Sequence, residues 1–370
     1  MNIVKIGAIA DLHIGLRTYS KIDPQTHLAY RELEVLSNLQ KIIDDLLAKN
    51  ITVLAISGDI YHSTNVSPTL QEKVNKIIFS AALKGMRCII IDGNHDRSPL
   101  NTSMSPLQVF TTLQVSNVIH SKVYKEVDID NIKFVLLPVY ATSTEVENYL
   151  AQVDKSKQII VLGHFSVVGA KMNDWLVAEN EEYIDLNAFK KDNIKCVILG
   201  HLHKPQILCN EPLVFYTGSL QRTDFNEENQ EKGYWIIDTS NYDYQFIPID
   251  TLKFYTINDS LIEHSFQEVI NSIDTSKVDN AVIRITLEVD DTHKLSEEDE
   301  KYLNQFLTDL KAVSINLKTK ANVVKRVRNE SLKEGLTIEQ SVDTFFSSLP
   351  KGEERAKLAK EIINRYRLIQ

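Results

Sequence analysis

Short apolar runs alternate with segments of helical periodicity over roughly the first 240 residues. Between the first two runs, Leu36, Leu39, Ile43 and Leu46 recur at the spacing of an amphipathic helix. The runs are almost continuous and rich in β-branched residues, which is typical of strands buried on both faces with helices between them. The pattern therefore predicts an α/β fold with strands at 3–10, 52–57, 87–92, 134–139, 158–163 and 195–200.

The pattern changes after residue 250. A helical stretch at 261–273, a strand at 281–289, a charged helix at 295–310 and one more strand-like run predict a small α+β module. Two amphipathic helices, separated at 349–352, are predicted after it. The expected domains are therefore 1–250, 251–328 and 329–370.

Composition narrows the function classes. The chain has 370 residues and a formal net charge of -9, which argues against a generally basic nucleic-acid coat, so any contact with DNA must be local or helped by metal ions and a partner. Its three cysteines predict neither a disulfide framework nor a zinc cluster. No apolar run approaches the ~18 residues of a membrane span, and the N-terminus lacks the pattern of a cleaved signal. We expect no membrane partner and a cytoplasmic location, in a bacterial cell or, for a virus-encoded protein, in its host.

Residues that can bind metal ions follow five of the apolar runs, and glycine precedes them in four cases. Glycine permits a tight turn and a close backbone approach, and ligands of α/β sheets gather at the carboxyl ends of strands. In an extended segment, residues i and i+2 face the same side, so each Asp-x-His or His-x-His pair is expected to grip one ion. The residues are Asp11 and His13; Asp59 and His62; Asn94, His95 and Asp96; His164; and His201 and His203.

The number of candidate ligands points to two metal ions. Any one of these residues alone is an ordinary turn residue, but six of the ten histidines lie within these motifs. Ligation by imidazole, carboxylate and amide without thiolate favours Mn²⁺, with Mg²⁺, Fe and Zn²⁺ as alternatives. Two ions ~3.5 to 4 Å apart would position an attacking water and neutralise charge during displacement at phosphorus. The predicted ligands are Asp11, His13, Asp59 as the bridge, Asn94, His164, His201 and His203.

Three further polar residues are candidates for catalysis. His95 is next to the predicted ligand Asn94, where it could protonate the leaving oxygen or stabilise the transition state. Asp96 is expected to orient His95. His62 completes the motif that begins at Gly58.

The ordered motifs Asp-x-His, GDxxH, GNHD, GH and GHxH resemble those of the calcineurin-like metallophosphoesterases, over roughly residues 3 to 240. Within that superfamily the chain is similar to the SbcD and meiotic-recombination-eleven nuclease subunits. The resemblance rests on ADLHIG (10–15), GDIYHSTNVSP (58–68) and YTGSLQRTDFNEENQEKGY (216–234), where the family pattern falls on Gly218, Ser219, Leu220, Arg222, Phe225, Glu228, Lys232 and Gly233.

The resemblance implies a sandwich of two sheets flanked by helices, a capping domain at 251–328, and C-terminal helices that dock on an SbcC-like SMC-family ATPase. It implies a manganese-dependent exonuclease and endonuclease acting in DNA repair and recombination. His62 would contact phosphate or DNA. After Gly163 and His164 the chain has Phe165 where relatives commonly have Gln, so contacts from that loop do not transfer. The implied metal sets are Asp11, His13, Asp59 and His203 for one ion, and Asp59, Asn94, His164 and His201 for the other.

DNA and partner contacts are expected outside the metal centre. Residues 310–329 contain several lysines and arginines and no acidic residue, and a second group of basic residues follows the first motif. Both groups are candidates for contact with DNA phosphates, and the alternative is that they form a solvated surface. Apolar stripes on the last two helices predict a contact with the ATPase. The alternative is that these helices pack on the protein's own domains. The candidates are Arg17, Tyr19, Lys21, Arg31, Lys320, Lys325, Arg326 and Arg328 for DNA, and Ile338, Val342, Phe345, Phe346, Leu358, Ile362 and Tyr366 for the ATPase.

A homodimer is expected through helices around 70–83 and 106–113, where Leu70, Val74, Ile77 and Ile78 form an apolar stripe, although such a stripe is more often part of a protein's own core. Two alternatives to the nuclease remain open. A phosphatase of the same fold would share the motifs up to residue 205 but would not need residues 216–234 or the C-terminal modules. A catalytically silent scaffold for the ATPase is disfavoured because every expected ligand is present.

Overall fold

The computed structural model describes residues 4–97, 104–171, 183–321, 337–347 and 349–367. Over these residues strands and helices alternate along most of the chain. The first half contains β1 (Lys5–Ile9), α1 (Tyr30–Ala48), β2 (Val53–Ser57), α2 (Pro68–Leu83), β3 (Arg87–Ile91), α3 (Gln108–Leu113), β4 (Val118–Ser121), β5 (Lys125–Ile129), β6 (Ile132–Leu136), α4 (Ser143–Gln152) and β7 (Gln158–His164). The second contains β8 (Ile194–Gly200), β9 (Gln206–Asn210), β10 (Leu213–Tyr216), β11 (Gly233–Asp238), β12 (Tyr244–Pro248), β13 (Lys253–Ser260), α5 (Phe266–Ser272), β14 (Ala281–Val289), α6 (Glu297–Asp309), β15 (Ser314–Ala321), α7 (Ile338–Phe346) and α8 (Gly352–Arg367).

Two six-stranded sheets form the centre of the molecule, in the orders β12-β11-β1-β2-β3-β4 and β5-β6-β7-β8-β10-β9. Strands β1 to β4 are parallel, as are β6, β7, β8 and β10, while antiparallel strands lie at the edges. Apolar residues of both sheets, among them Ile89 and Ile160, share one buried cluster between the sheets. Helices α1 and α2 cover the outer face of the first sheet, and α4 covers that of the second. The predicted sandwich flanked by helices is confirmed.

Each predicted strand corresponds to an observed one, because uninterrupted burial on both faces produces an uninterrupted apolar run. The strands that were not predicted include β9, which is partly exposed along its whole length, and β5, which is exposed or half-buried at most positions. Edge strands of this kind lack the long apolar run by which a buried strand is predicted from the sequence.

A third sheet of three parallel strands, in the order β13-β14-β15, corresponds to the module predicted after residue 250. Helices α5 and α6 connect its strands and pack on it through a separate apolar cluster. The strand at 281–289 and the charged helix match their predictions. Phe225 of the sandwich packs with Phe254 and Val282 of this sheet. The domain boundaries at 250 and 328 stay a prediction.

Helices α7 and α8 pack on each other and are separated where the sequence predicts. The capping box is present: Gln340 N–H donates to Thr337 Oγ1 (3.2 Å) and Thr337 N–H to Gln340 Oε1 (2.9 Å). Among the predicted partner residues, Ile338, Leu358 and Ile362 are exposed, and Val342, Phe345 and Phe346 are half-buried. The side chain of Tyr366 lies outside the described residues.

The stripe on α2 that was considered for a homodimer lies in the core of the protein. Leu70, Val74 and Ile78 are buried against α1 and the first sheet, and Ile77 is half-buried beside them. The stripe is therefore unavailable to a second copy, and the core interpretation is correct. A separate observation concerns membranes: no helix among the described residues is long and apolar enough to cross one.

Candidate metal centre

The predicted ligands converge where the carboxyl ends of β1, β2, β3, β7 and β8 meet. Two hydrogen bonds join the sheets there: His164 Nδ1 to the carbonyl oxygen of Ser57 (2.7 Å) and Ser57 Oγ to that of Ile198 (3.1 Å). All the metal-ligand candidates lie in this one region, as the strand-end argument predicts. They are Asp11, His13, Asp59, Asn94, His164, His201 and His203.

Glycines allow the loops to approach one another closely. A Cβ on Gly93 would lie 2.0 Å from Oδ1 of Asp59, and one on Gly58 would lie 2.4 Å from Nδ1 of His164. At Gly200 it would lie 2.1 Å from the carbonyl oxygen of Ser57. These glycines therefore have no room for a side chain, which explains why the polar motifs begin with glycine.

Four site residues have the left-handed backbone that side chains rarely adopt: Asp11 (φ 53°), His13 (φ 47°), Asp59 (φ 52°) and His201 (φ 91°). An extended segment is expected here from the sequence, but the backbone of Asp11 and His13 is left-handed. Both side chains face the same centre because of this conformation. Such backbone is costly and persists where its surroundings hold it. Here His13 N–H donates to the Asp59 carbonyl oxygen (3.0 Å) and Asp11 N–H to that of Gly58 (3.1 Å).

Two groups of ligand atoms lie side by side. One comprises Asp11, His13 and His203, with the Nε2 atoms of the two histidines 2.9 Å apart. The other comprises Asp11, Asp59 and His164. Asp11 belongs to both groups, and Oδ2 of Asp59 is close to a histidine of each, 3.7 Å from Nε2 of His13 and 3.3 Å from Nε2 of His164. This is the position expected of a bridging carboxylate.

The second group also includes an amide oxygen. Asn94 Oδ1 lies 3.1 Å from Nε2 of His164 and 3.1 Å from Nδ1 of His201. The backbone N–H of His201 donates to both carboxylate oxygens of Asp11, at 3.0 and 3.1 Å. Nitrogen and oxygen lone pairs thus face a common point, which suits a cation of intermediate hardness.

Hydrogen bonds select the tautomers of two histidines. Nδ1 of His164 faces a carbonyl oxygen and Nδ1 of His203 faces Oε1 of Glu227 (2.8 Å), so each Nδ1 carries the proton. In the neutral rings that bind a metal ion, Nε2 then carries the lone pair and lies towards the other ligands, as in metal-bound histidines with an oriented second nitrogen.

Glu227 is a candidate site residue that the sequence analysis missed. Its buried carboxylate contacts His203, Thr223 and the fully buried ammonium of Lys232. Although burial opposes ionisation, Lys232 and His203 hold the pKa of Glu227 well below its usual range. The neighbouring Glu228, which fits the family pattern, instead accepts from the backbone and hydroxyl of Thr256 in β13.

The charges of the site fit a bound cation. Burial of the His164 ring disfavours its protonated form, but the carboxylates of Asp59 and Asp11 raise the pKa of His164 to about 10. The site therefore attracts a positive charge between these carboxylates. His13 supplies a buried Nδ1 that has no hydrogen-bond partner among the described residues. The donor set of carboxylates, imidazoles and one amide oxygen is suited to a divalent ion such as Mn²⁺, Mg²⁺, Fe²⁺ or Zn²⁺.

Residues 4–205 match the family model described as calcineurin-like phosphoesterase. The chain belongs to this family. Divalent metal cofactors and phosphoester hydrolysis are implied by that membership, and the ligand groups above agree with both. The match spans all five motifs.

The sequence identities to individual proteins are low. A protein of Staphylococcus epidermidis, named as a subunit of the nuclease SbcCD, is 26% identical over 303 residues, covering 72% of this chain and 74% of the relative. A dimetal phosphatase from Danio rerio has a TM-score of 0.41 and 11% identity, covering 64% of this chain and 93% of that one. A Thermus thermophilus protein has a TM-score of 0.44 and 9% identity, covering 67% and 100%.

In this phosphoesterase, His95 and His62 lie beside His13, with which they form a further group of possible ligands. Their rings stack at 5.2 Å, and the ring of His95 is 4.8 Å from that of His13. Nδ1 of His95 lies 2.8 Å from the carbonyl oxygen of His62, and its backbone N–H donates to Asp59 Oδ1 (2.9 Å). Nδ1 therefore holds a proton, and Nε2 is the nitrogen left for chemistry.

Asp96 has a different contact set from the one expected. Its buried carboxylate accepts from the backbone N–H groups of Ile60 (3.2 Å), Tyr61 (2.9 Å) and Gly93 (3.1 Å). The His95 ring is oriented by the carbonyl oxygen of His62 instead. Asp96 thus joins the loops that carry Asp59 and Asn94.

The predicted DNA contacts need one clear correction. Arg31 is buried, and it donates to the carbonyl oxygen of Thr18 (2.9 Å) and to Gln221 Oε1 (3.0 Å), so it is not available to phosphates. Tyr19 packs on Phe225 and Phe254.

The remaining DNA candidates are at the surface or outside the described residues. Arg17 pairs with Glu32 at 2.8 Å, and Lys320 pairs with Glu288 at 3.4 Å. The side chain of Lys21 is exposed and lies 3.5 Å from the carbonyl oxygen of Ala312. Lys325, Arg326 and Arg328 lie outside the described residues. Arg17, Lys21 and Lys320 are therefore still candidates.

Proposed function

We propose that this phosphoesterase is a DNA nuclease subunit that hydrolyses phosphodiester bonds with two divalent metal ions. The observation that carries the proposal is that Asp59 Oδ2 lies close to both His13 and His164, at 3.7 and 3.3 Å, in a centre where the other ligand candidates also converge. DNA as the substrate is supported by the similarity to the Staphylococcus epidermidis protein named a nuclease subunit.

The residues divide into two sets around Asp59. Asp11, His13, Asp59 and His203 would hold one ion, and Asp59, Asn94, His164 and His201 the other. When bound, the ions would supply charge neutralisation at the phosphate and an acidified water. Mn²⁺ is our choice because imidazole and carboxylate ligands occur together without thiolate.

The chain's own residues position and protonate the substrate. His95 Nε2 is the proposed donor of a proton to the leaving oxygen, since Nδ1 is engaged with the carbonyl of His62. The ring of His62 stacks on that of His95 and holds it in position, and His62 offers a contact to phosphate. Glu227 keeps the His203 ring in the orientation that turns Nε2 to the metal.

We propose that residues 329–370 dock on an SbcC-like SMC-family ATPase and that 251–328 form a capping domain. Exposed Ile338, Leu358 and Ile362 on two paired helices support the docking, because such a surface is covered by a partner in a helix-in-groove contact. A homodimer is also proposed. With the α2 stripe in the core, its contact would use exposed apolar residues at the ends of the same helices, Leu83 and Leu113.

The test compares hydrolysis of linear duplex DNA and of p-nitrophenyl phosphate in Mn²⁺, with and without the ATPase and ATP. The nuclease proposal predicts cleavage of DNA that ATP stimulates. Efficient hydrolysis of p-nitrophenyl phosphate with no cleavage of DNA under any condition would identify a phosphatase, and no hydrolysis of either substrate by metal-loaded protein would identify a silent scaffold.

A further inference from the structure

A recess of about 440 Å³ opens beside the proposed metal ligands. Its lining includes the ligand candidates Asn94, His164 and His201 together with aromatic and aliphatic residues, chiefly Tyr140, Val139 and Phe165. Its volume is in the range of sites that enclose small organic groups. Such a recess fits a substrate that carries a flat, largely apolar group close to its charged phosphate.

Tyr140 stands on a short, well-defined turn between β6 and α4. The N–H of Ala141 donates to the carbonyl oxygen of Pro138 (3.2 Å), closing the turn, and Thr142 begins α4 with a capping box. Strand β6 pairs in parallel with β7, which ends at His164. The carboxyl ends of neighbouring strands thus place the Tyr140 ring next to a proposed metal ligand.

The Tyr140 ring is held in place but not covered. The guanidinium of Arg97 lies 5.9 Å from the ring centroid and also donates to the carbonyl oxygen of Lys122 (3.2 Å). Tyr140 is nevertheless 47% exposed, whereas Phe165 in the same recess is 6% exposed. An exposed, oriented ring beside an arginine and a phosphate site is a suitable surface for stacking.

We propose that Tyr140 stacks on the nucleobase next to the scissile phosphate and so positions that phosphate over the metal ligands. The inference rests on the proposed nuclease function and specifies how that site grips its substrate. Every base presents a π face, so the contact tolerates any sequence. A chain with a net charge of -9 gains in this way a substrate contact that does not depend on its surface charge.

The test is a cycle of protein and substrate changes. Oligonucleotides carry one phosphodiester bond among methylphosphonates, with both flanking bases present or with either one replaced by an abasic unit. Wild-type protein should cleave one abasic substrate roughly 5- to 150-fold less efficiently in kcat/KM than the intact one, which is the range of base–aromatic stacking. In Tyr140→Ala the preference for the intact substrate should disappear.

Two control variants separate stacking from other roles. Tyr140→Phe keeps the ring and should keep the preference, and Tyr302→Ala, which removes an exposed tyrosine on α6, should keep it too. In EDTA, 2-aminopurine at the flanking position should be quenched by wild-type protein and not by Tyr140→Ala.

Three outcomes would overturn the inference. If Tyr140→Ala loses the same factor on intact and abasic substrates, the ring does not stack on a base, although the nuclease proposal stands. If the variant loses hydrolysis of p-nitrophenyl phosphate and keeps full DNA cleavage, the recess serves aryl phosphates. If wild-type protein cleaves none of the oligonucleotides but hydrolyses p-nitrophenyl phosphate, both proposals fail.

Discussion

Nδ1 of His203 donates a hydrogen bond of 2.8 Å to Oε1 of Glu227. The carboxylate is ionised, because its pKa lies well below the usual range beside Lys232 and His203 despite burial. A single tautomer of His203 follows, with the Nε2 lone pair directed at Nε2 of His13 and the carboxylate of Asp11. Glu227 therefore belongs to the proposed metal site although it does not face the metal.

Glu227→Gln should weaken metal binding by ~10- to 100-fold, as the loss of an outer-shell partner typically does. Isothermal titration with Mn²⁺ measures it. The matched control is Glu228→Gln, which alters a contact with Thr256 in β13 and should bind Mn²⁺ as wild type does.

Removing the Glu227 charge also leaves the buried ammonium of Lys232 without its counter-charge, which costs ~3 to 5 kcal/mol in such pairs. The double variant Glu227→Gln/Lys232→Met removes both charges and should recover part of the lost thermal stability. Its Mn²⁺ affinity should remain low. Full recovery of affinity in the double variant would show that Glu227 acts on folding alone.

His95→Ala should keep both metals and the fold and lose ~10²- to 10⁴-fold in turnover, the usual contribution of a general acid. Turnover on single-stranded DNA and metal content are measured on the same sample. An unchanged rate at full metal occupancy would remove His95 from the mechanism.

Glu34 predicts a pH-dependent stability away from the metal centre. Desolvation raises the pKa of this half-buried carboxyl from 4.5 to about 7, against the hydrogen bond from Leu252 N–H. The neutral form is favoured in the folded state, so its contribution is full below about pH 4.5 and is lost as pH rises through about 7. Relative to wild type, Glu34→Gln should therefore raise the free energy of unfolding by about 1 to 3 kcal/mol more at pH 8 than at pH 4.5. Chemical denaturation of both proteins at the two pH values measures this difference. An equal difference at both pH values would contradict the assignment.

Two surface pairs test the proposed DNA contacts. Lys318→Gln/Lys320→Gln on β15, or Arg17→Gln/Lys21→Gln near the first motif, should flatten the log–log salt dependence of DNA affinity by ~2 if both cations contact phosphates. Lys73→Gln/Lys76→Gln on α2 makes the same charge change elsewhere. Slopes that are unaltered in both test pairs would exclude these contacts.

Leu358→Asp/Ile362→Asp should abolish binding of the ATPase and ATP-stimulated cleavage of duplex DNA. Both residues are exposed on α8, so the fold and the cleavage of single-stranded DNA should persist. Deleting residues 331–370 should have the same effect, and Tyr302→Asp, an exposed position on α6, should bind normally. A doubly substituted protein that still co-purifies with the ATPase would contradict the docking proposal.

The α/β fold and the strand-end positions of the ligand candidates could be predicted because both follow from short-range patterns, whereas the two-sheet sandwich was implied by the family resemblance. A strand buried on both faces is apolar throughout, and a polar residue after it lies at the carboxyl edge of the sheet. Asp59 and His164 are 105 positions apart in sequence, and yet each follows such a strand. Within each sheet, parallel strands end at one edge, but Asp59 and His164 belong to different sheets, so their convergence also needs the two sheets to pack with these edges together.

What could not be predicted depends on tertiary contacts. Glu227 and Glu228 are identical neighbours, and only the packing of the loop decides which one contacts His203. Arg31 sits in a cationic segment, but its guanidinium is buried by the loop around Gln221. The alternation rule failed at Asp11 and His13 because their backbones are left-handed, which the glycine-free Asp-Leu-His segment does not signal.

The proposed function requires metal ions held around Asp59 for the hydrolysis of DNA phosphodiesters. The most direct measurement is the release of nucleotides from a single-stranded oligonucleotide by metal-free protein as Mn²⁺ is added, for wild type and Asp59→Ala together. We expect Mn²⁺-dependent cleavage by wild type that stops when EDTA is added, and loss of both bound metal and cleavage in Asp59→Ala. Cleavage by Asp59→Ala at the wild-type rate, or cleavage by wild type that persists in EDTA, would contradict it.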